Sequence, residues 1–127
     1  MARHLFLCPL RWSDMDADGH VHNAEHLRYL EETRIDLFRS REFSGSSVVA
    51  QMDIDYLVPL RYRDRPVRVE SWVTRVGGSS FTLEQEIRDD DVVYSKAVCV
   101  MVAFDQATQK SRPIPDTERA MLEELKA

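Results

Sequence analysis

Cysteine is scarce in this chain: Cys8 and Cys99 are the only two among 127 residues, far apart and each in an apolar stretch. A disulfide framework is thereby excluded, and the pattern fits buried, reduced thiols in a cytoplasmic protein. Glycine and proline are also few, four and five respectively, while 43% of the residues are hydrophobic. Low-complexity and disordered classes are ruled out, and a packed globule is expected. Basic residues are outnumbered, 17 lysines and arginines against 22 acidic residues, for a formal net charge of -5. A general nucleic-acid binder needs the opposite balance to neutralise phosphates, so no nucleic-acid partner is expected and any anionic ligand must meet local arginines. No apolar run approaches membrane-spanning length, and the one in residues 1–10, from Met1 on, is too short for a signal peptide's core and lacks a small-residue cleavage site. Neither export nor a membrane partner is expected. The length suits one core, so residues 1–127 are read as a single domain.

What is present is strong periodicity. Residues 3–12 are rich in apolar residues that alternate with polar ones, which predicts a first strand. Asn23 stands as a helix N-cap, and Ala24, Leu27, Leu30, Arg34, Leu37 and Phe38 then recur at helical spacing, with Glu25, Arg28, Glu32 and Asp36 on other faces. This predicts an amphipathic helix of about four turns, left through Ser44, Gly45 and Ser46. Four strand-like segments follow, at 47–58, 67–76, 81–88 and 92–104, each bounded by turn chemistry. Connections this short favour antiparallel neighbours. A short helix over 115–125, capped by Asp116 or Thr117, closes the chain.

One long helix must cover the apolar face of the whole sheet, so an α+β fold is expected in which the sheet curls around that helix. Val49, Met52, Ile54, Tyr56, Val67, Val69, Trp72, Val98, Val100 and Val102 are the candidate inward or interface residues. A shell one sheet thick leaves an open edge, which pairing with a second copy would continue, so a homo-oligomer is expected.

The chemistry concentrates in one stretch, Trp12-Ser13-Asp14-Met15-Asp16-Ala17-Asp18-Gly19-His20-Val21-His22-Asn23-Ala24. Its carboxylates and imidazoles lie between an apolar strand and the start of the helix, where backbone N–H groups are unpaired and the helix dipole is positive. Asp14 and Asp16 alternatively cap a turn, for which Asp18-Gly19 is a common pair. His22 and His26 stand one helical turn apart beside three aspartates, which raises a metal reading. Residues before a helix, however, point different ways, and no metal is expected. Farther on, Gly77-Gly78-Ser79-Ser80 is either a plain hairpin turn or a place where backbone N–H groups meet phosphates, with Arg61, Arg63 or Arg75 supplying charge.

Asp14-Met15-Asp16-Ala17-Asp18-Gly19-His20-Val21-His22-Asn23, followed by Leu27-Arg28-Tyr29-Leu30-Glu31-Glu32-Thr33-Arg34, resembles the opening of hot-dog-fold acyl-CoA thioesterases of the 4-hydroxybenzoyl-CoA thioesterase type. Asp53-Ile54-Asp55-Tyr56-Leu57-Val58-Pro59 and Val73-Thr74-Arg75-Val76-Gly77-Gly78-Ser79-Ser80-Phe81 resemble that family's second and third strands, so the likeness covers nearly the whole chain.

The resemblance implies an antiparallel sheet of about five strands wrapped around one central helix, in a dimer or a dimer-of-dimers tetramer. It implies hydrolysis of an acyl-CoA, or of an acyl carrier protein thioester, without metal or cofactor. Asp16 matches the family's catalytic carboxylate, acting as general base or nucleophile, and the N–H groups around Asn23 and Ala24 are the implied oxyanion donors. His20 is placed to orient Asp16 or its loop. Glu31 is the rival acid, matching a branch of the fold that uses a helical glutamate; otherwise it pairs with Arg28 or Arg34. His26, Glu25 and His22 depart from the family's common tyrosine, aliphatic residue and asparagine. Two other classes stay open: a hot-dog dehydratase or hydratase, which resembles this chain in fold but is expected to pair a histidine with a helical acid in a different local pattern, and a non-catalytic acyl-CoA-binding module.

Overall fold

Eighteen residues, Asn23–Ser40, form α1, the helix against which the sheet is laid. The structure is a computed structural model and describes residues 3–41, 43 and 45–127. Met1, named above in the apolar run, and Ser44, named in the helix exit, lie outside the described residues. Ahead of α1 come β1 (His4–Cys8) and a single 3-10 turn at Trp12–Asp14. After it come β2 (Ser46–Tyr56), β3 (Val67–Val76), β4 (Ser80–Arg88), β5 (Val93–Asp105), the two-residue β6 (Lys110–Ser111) and α2 (Asp116–Glu124). The strands form one antiparallel sheet in the order β1-β3-β4-β5-β2, with β6 paired to β5. This is the expected α+β arrangement with one short strand added. The first strand ends at Cys8 rather than Trp12, because Pro9 cannot donate to the ladder and the next residues coil into the 3-10 turn.

The strands show which face meets the helix. On β4, Phe81, Leu83, Gln85 and Ile87 are buried between half-exposed neighbours. On β5 the buried set is Ser95, Ala97, Cys99, Met101 and Ala103, while Val98 is 40% exposed. Of the inward or interface candidates, the valines at 98, 100 and 102 therefore lie on the outer face. Smaller side chains face the helix, and branched ones, which suit a pleated surface, take the outer face. A similar correction applies to β2, where Val49 and Tyr56 are exposed, and to α1, where Ala24 and Leu27 are. The inner face of α1 is His26, Tyr29, Leu30, Thr33, Arg34 and Leu37.

Two apolar clusters result. One joins Tyr29, Leu30 and Leu60 to Val67, Val69 and Ile87. The other joins Leu37, Phe81 and Leu83 to Leu122 and Leu125 at the end of the chain. Each fully buried Leu, Ile or Phe here contributes about 1.5–3 kcal/mol. α2 is entered from Pro115, whose carbonyl accepts the Arg119 N–H at 2.9 Å, rather than from a capping Asp116 or Thr117. Both cysteines are free and buried, and burial pushes the Cys8 thiol up to about 12. Among the described residues no helix is long and apolar enough to cross a membrane.

Candidate active site

The link from β1 to α1 folds as a miniature hairpin. Met15 and Val21 pair across it, Asp16 N–H donates to the His20 carbonyl at 2.7 Å, and Gly19 N–H donates to the Asp16 carbonyl at 3.2 Å. The reversal needs a residue in the left-handed region, and Gly19 supplies it with φ of +79°. The Asp16 side chain closes the turn from outside: its Oδ1 accepts the Asp18 N–H at 2.8 Å and the His20 N–H at 3.1 Å. These donors, His20 first and Asp18 second, hold the carboxyl below the usual aspartate range. Asp16 is thus ionised at neutral pH, and its Oδ2 has no hydrogen-bond partner among the described residues. His20 orients Asp16 through its backbone.

Asp14, the last residue of the 3-10 turn, is instead turned into the protein. It is 1% exposed and accepts the Tyr29 hydroxyl at 2.6 Å, the Arg28 guanidinium at 2.9 Å and the Arg11 N–H at 3.1 Å. Burial by itself would raise this carboxyl, but the Tyr29 and Arg11 bonds and the Arg28 charge outweigh it and hold it low. The loop is also tied from behind: His22 N–H donates to the Asp14 carbonyl at 2.9 Å, Val21 N–H to the Leu60 carbonyl at 2.8 Å, and His20 bridges to Arg61.

The helix cap falls one residue earlier than expected, on His22, with Asn23 the first helical residue. His22 Nδ1 accepts the Ala24 N–H at 3.1 Å, and its carbonyl accepts the Glu25 N–H at 2.9 Å. Of the two N–H groups singled out from the sequence, Ala24's is therefore engaged. That of Asn23 has no partner among the described residues.

Asp16, His20, Asn23 and His26 share a pocket of about 310 Å³ whose facing wall is residues 56–59. Tyr56 reaches across from the end of β2 and donates its hydroxyl to the Asn23 carbonyl at 2.8 Å. His26 lies against Tyr56 edge to face, ring centroids 5.2 Å apart, and its Nδ1 is 2.9 Å from Ser95 Oγ on β5. Burial pushes the His26 imidazole down to about 4, so it is neutral at physiological pH. Sequence reasoning missed the Ser95 partner, which is 69 positions away and has no local signal. It also missed the wall formed by Leu57, Val58 and Pro59, an apolar stretch without reactive groups.

The remaining candidates lie elsewhere. Glu31 does not line this pocket; with Arg34 and Val49 it borders the groove between α1 and β2. It forms no ion pair with Arg28 or Arg34 among the described residues, because Arg28 is committed to Asp14, Glu25 and Glu32. The 77–80 turn is a tight hairpin in which Gly77 N–H donates to the Ser80 carbonyl at 2.7 Å. Gly78 and Ser79 border a separate cavity with Ser111, Arg112 and Pro113, and Arg75 is close to Gly77. Arg61 is exposed beside His20, whereas Arg63 grips Asp89 with both nitrogens at 2.6 Å. No group of three or more potential metal ligands occurs among the described residues, and His22 Nδ1 and His26 Nδ1 meet the Ala24 N–H and Ser95 Oγ.

An ionised carboxylate and an open helix N-terminus in one pocket are what acyl transfer requires. Residues 10–125 match the family model described as the thioesterase-like superfamily. The chain belongs to this superfamily. As a member it is a thioester hydrolase of the hot-dog fold, and the matched family is broader than the 4-hydroxybenzoyl-CoA type. A predicted thioesterase from Bacillus stearothermophilus superposes with a TM-score of 0.90 at 29% identity, covering 99% of this chain and 98% of its own. A thioesterase from Thermus thermophilus, solved in complex with coenzyme A and zinc, superposes at 0.84 with 31% identity, covering 95% and 92%. The acyl-CoA thioesterase YbgC of Haemophilus influenzae is 28% identical over 132 residues, 95% of this chain and 96% of the relative.

Proposed function

We propose that this thioester hydrolase cleaves acyl-CoA to the free acid and CoA-SH, with Asp16 as the reacting carboxylate and the Asn23 N–H as oxyanion donor. The observation that supports it is one pocket holding both an ionised carboxylate with a free oxygen and an unoccupied N–H at a helix N-terminus. A thioester carbonyl oxygen directed at Asn23 places its carbon toward Asp16, and charge that develops on the oxygen meets the positive end of the α1 dipole. Asp16 then acts in one of two ways. It takes a proton from water, whose hydroxide adds to the carbonyl carbon before the C–S bond breaks and the thiolate recovers the proton. Otherwise Oδ2 itself adds, expels the thiolate and leaves a mixed anhydride that water opens. Rapid quench and mass analysis of Asp16 separates them, since only the second route adds an acyl mass. Ala24 N–H joins the oxyanion site only if the His22 imidazole releases it.

Arg61, exposed beside His20, is the arginine placed to meet a CoA phosphate at this pocket. Arg75 and the 77–80 turn lie apart from it, and are read as contacts for the nucleotide end of a CoA bound to a second copy of the chain. A homodimer, or a dimer of dimers, is supported by the terminal place of β2 in the sheet order, with most of its residues exposed, Val48 and Val49 among them, and by exposed Leu27 and Ile35 on α1.

Thiol release measured on aromatic, short, branched and long acyl-CoAs, and on the same acyl groups carried by acyl carrier protein, tests the reading. Turnover of CoA thioesters supports it. Turnover of carrier-protein thioesters alone would move the substrate, and hydration of an enoyl thioester without thiol release would replace hydrolysis with a hydratase activity.

A further inference from the structure

His26 is 4% exposed, yet its imidazole is not closed off. Ser95 is 1% exposed, and its hydroxyl has no hydrogen-bond partner but His26 among the described residues. A buried hydroxyl with a single neighbour donates its proton to that neighbour, because the reverse arrangement orphans the O–H. Nδ1 is therefore the acceptor, and the ring proton of the neutral imidazole sits on Nε2. Nε2 has no hydrogen-bond partner among the described residues, and it is not sealed in the protein, where the one enclosed and unpaired side-chain polar atom among them is Arg41 Nε. Since His26 lines the pocket that holds Asp16, its N–H opens into that cavity.

We propose that His26 is an acyl-specificity residue whose Nε2–H recognises an uncharged oxygen on the acyl group, so that short hydroxyacyl and oxoacyl thioesters are preferred over plain alkyl ones. The inference rests on the thioesterase reading above and names the substrate class of that site. Three features narrow the ligand. The donor is uncharged, so it offers no strong attraction to a second carboxylate, and ionised Asp16 in the same pocket repels one. The walls around it, Val21, Leu57 and Val58, are aliphatic, which suits a short carbon skeleton. The volume, about 310 Å³, is at the low end for ligand pockets. A plain alkyl chain would cover the N–H without pairing it, and a site built to bond an oxygen discriminates against the analogue that lacks one.

The test compares kcat/KM for 3-hydroxybutyryl-CoA, acetoacetyl-CoA and butyryl-CoA in wild type, His26→Phe and His26→Gln. Wild type is expected to favour the oxygenated acyl groups by about tenfold. His26→Phe is expected to erase that preference by slowing the oxygenated substrates about tenfold more than butyryl-CoA, and His26→Gln, which keeps a donor, to restore part of it. Should His26→Phe melt early, the Gln variant alone carries the comparison. An equal fall in kcat on all three substrates would make His26 an oxyanion donor or a structural residue and overturn the inference, as would a wild type without preference. Silence on these three with turnover of other acyl-CoAs overturns this inference alone, whereas silence on every acyl-CoA overturns the thioesterase reading as well.

Discussion

The Tyr29 hydroxyl donates to the Asp14 carboxylate at 2.6 Å, fastening the second turn of α1 to the root of the loop that carries Asp16. Both groups are buried, and burial together with the Asp14 charge keeps Tyr29 protonated as the donor. Tyr29→Phe is expected to cost about 1–3 kcal/mol, since it removes one of the groups solvating a buried charge. The denaturant midpoint should shift accordingly, and turnover should fall several-fold with an unchanged pH profile, because the chemistry at Asp16 is intact but its support is looser.

Gly19 offers a separate probe of the same loop. A Cβ built there meets nothing within 4 Å, so crowding is no obstacle, and the φ of +79° is the only strain. Gly19→Ala should destabilise by about 1 kcal/mol in thermal unfolding. Gly19→Asn should cost less, since asparagine tolerates the left-handed region.

The acid limb of activity follows from Asp16. Its carboxyl is held below the ordinary aspartate range by the His20 and Asp18 N–H groups, and the reaction needs it ionised. As pH falls, kcat/KM should begin to drop at a lower pH than an ordinary aspartate would set. An acid limb near pH 6 to 7 would instead assign the essential ionisation to a histidine, judged from the ordinary imidazole value of about 6.5.

Acid stability has its own contributor away from the site. The Arg63 guanidinium, helped by the Tyr94 hydroxyl, outweighs burial and moves the Asp89 carboxyl from an ordinary 3.8 down to about 2. A depressed acid stabilises the fold above its unfolded value and loses that contribution as pH falls through the folded one. The contribution is therefore complete above about pH 4 and gone below about 2, and it amounts to about 1 kcal/mol after solvent screening. Arg63→Ala should raise the midpoint of acid unfolding and leave neutral-pH activity in place.

Much of this molecule was legible from local pattern. The third strand was expected at 67–76 and is Val67–Val76, because buried Val67, Val69, Ser71 and Val73 alternate between clear turn residues. The active loop was legible for the same local reason, its polar residues being dense between two apolar elements. What escaped depends on contacts far apart in sequence. Hydrophobicity marks Val98, Val100 and Val102 as inward or interface residues without choosing between the two, whereas the fold packs α1 on the alternate set with Ala97 and Cys99, and a one-residue change of register exchanges the faces. The cap moved from Asn23 to His22 because an imidazole Nδ1 reached the Ala24 N–H. His26 was visible as a polar residue in the first turns of a helix, but only the fold brings Ser95 to it and Tyr56 over it.

The most direct test of the central claim is the turnover of Asp16→Asn beside wild type and Glu31→Gln, with melting curves for all three. The substituted amide retains an oxygen that can accept the Asp18 and His20 N–H groups, so the loop should stand and the melting temperature should hold. The account predicts a loss in kcat of about a hundredfold or more for Asp16→Asn and near wild-type turnover for Glu31→Gln. Full activity in Asp16→Asn, or collapse in Glu31→Gln with Asp16→Asn active, would contradict it.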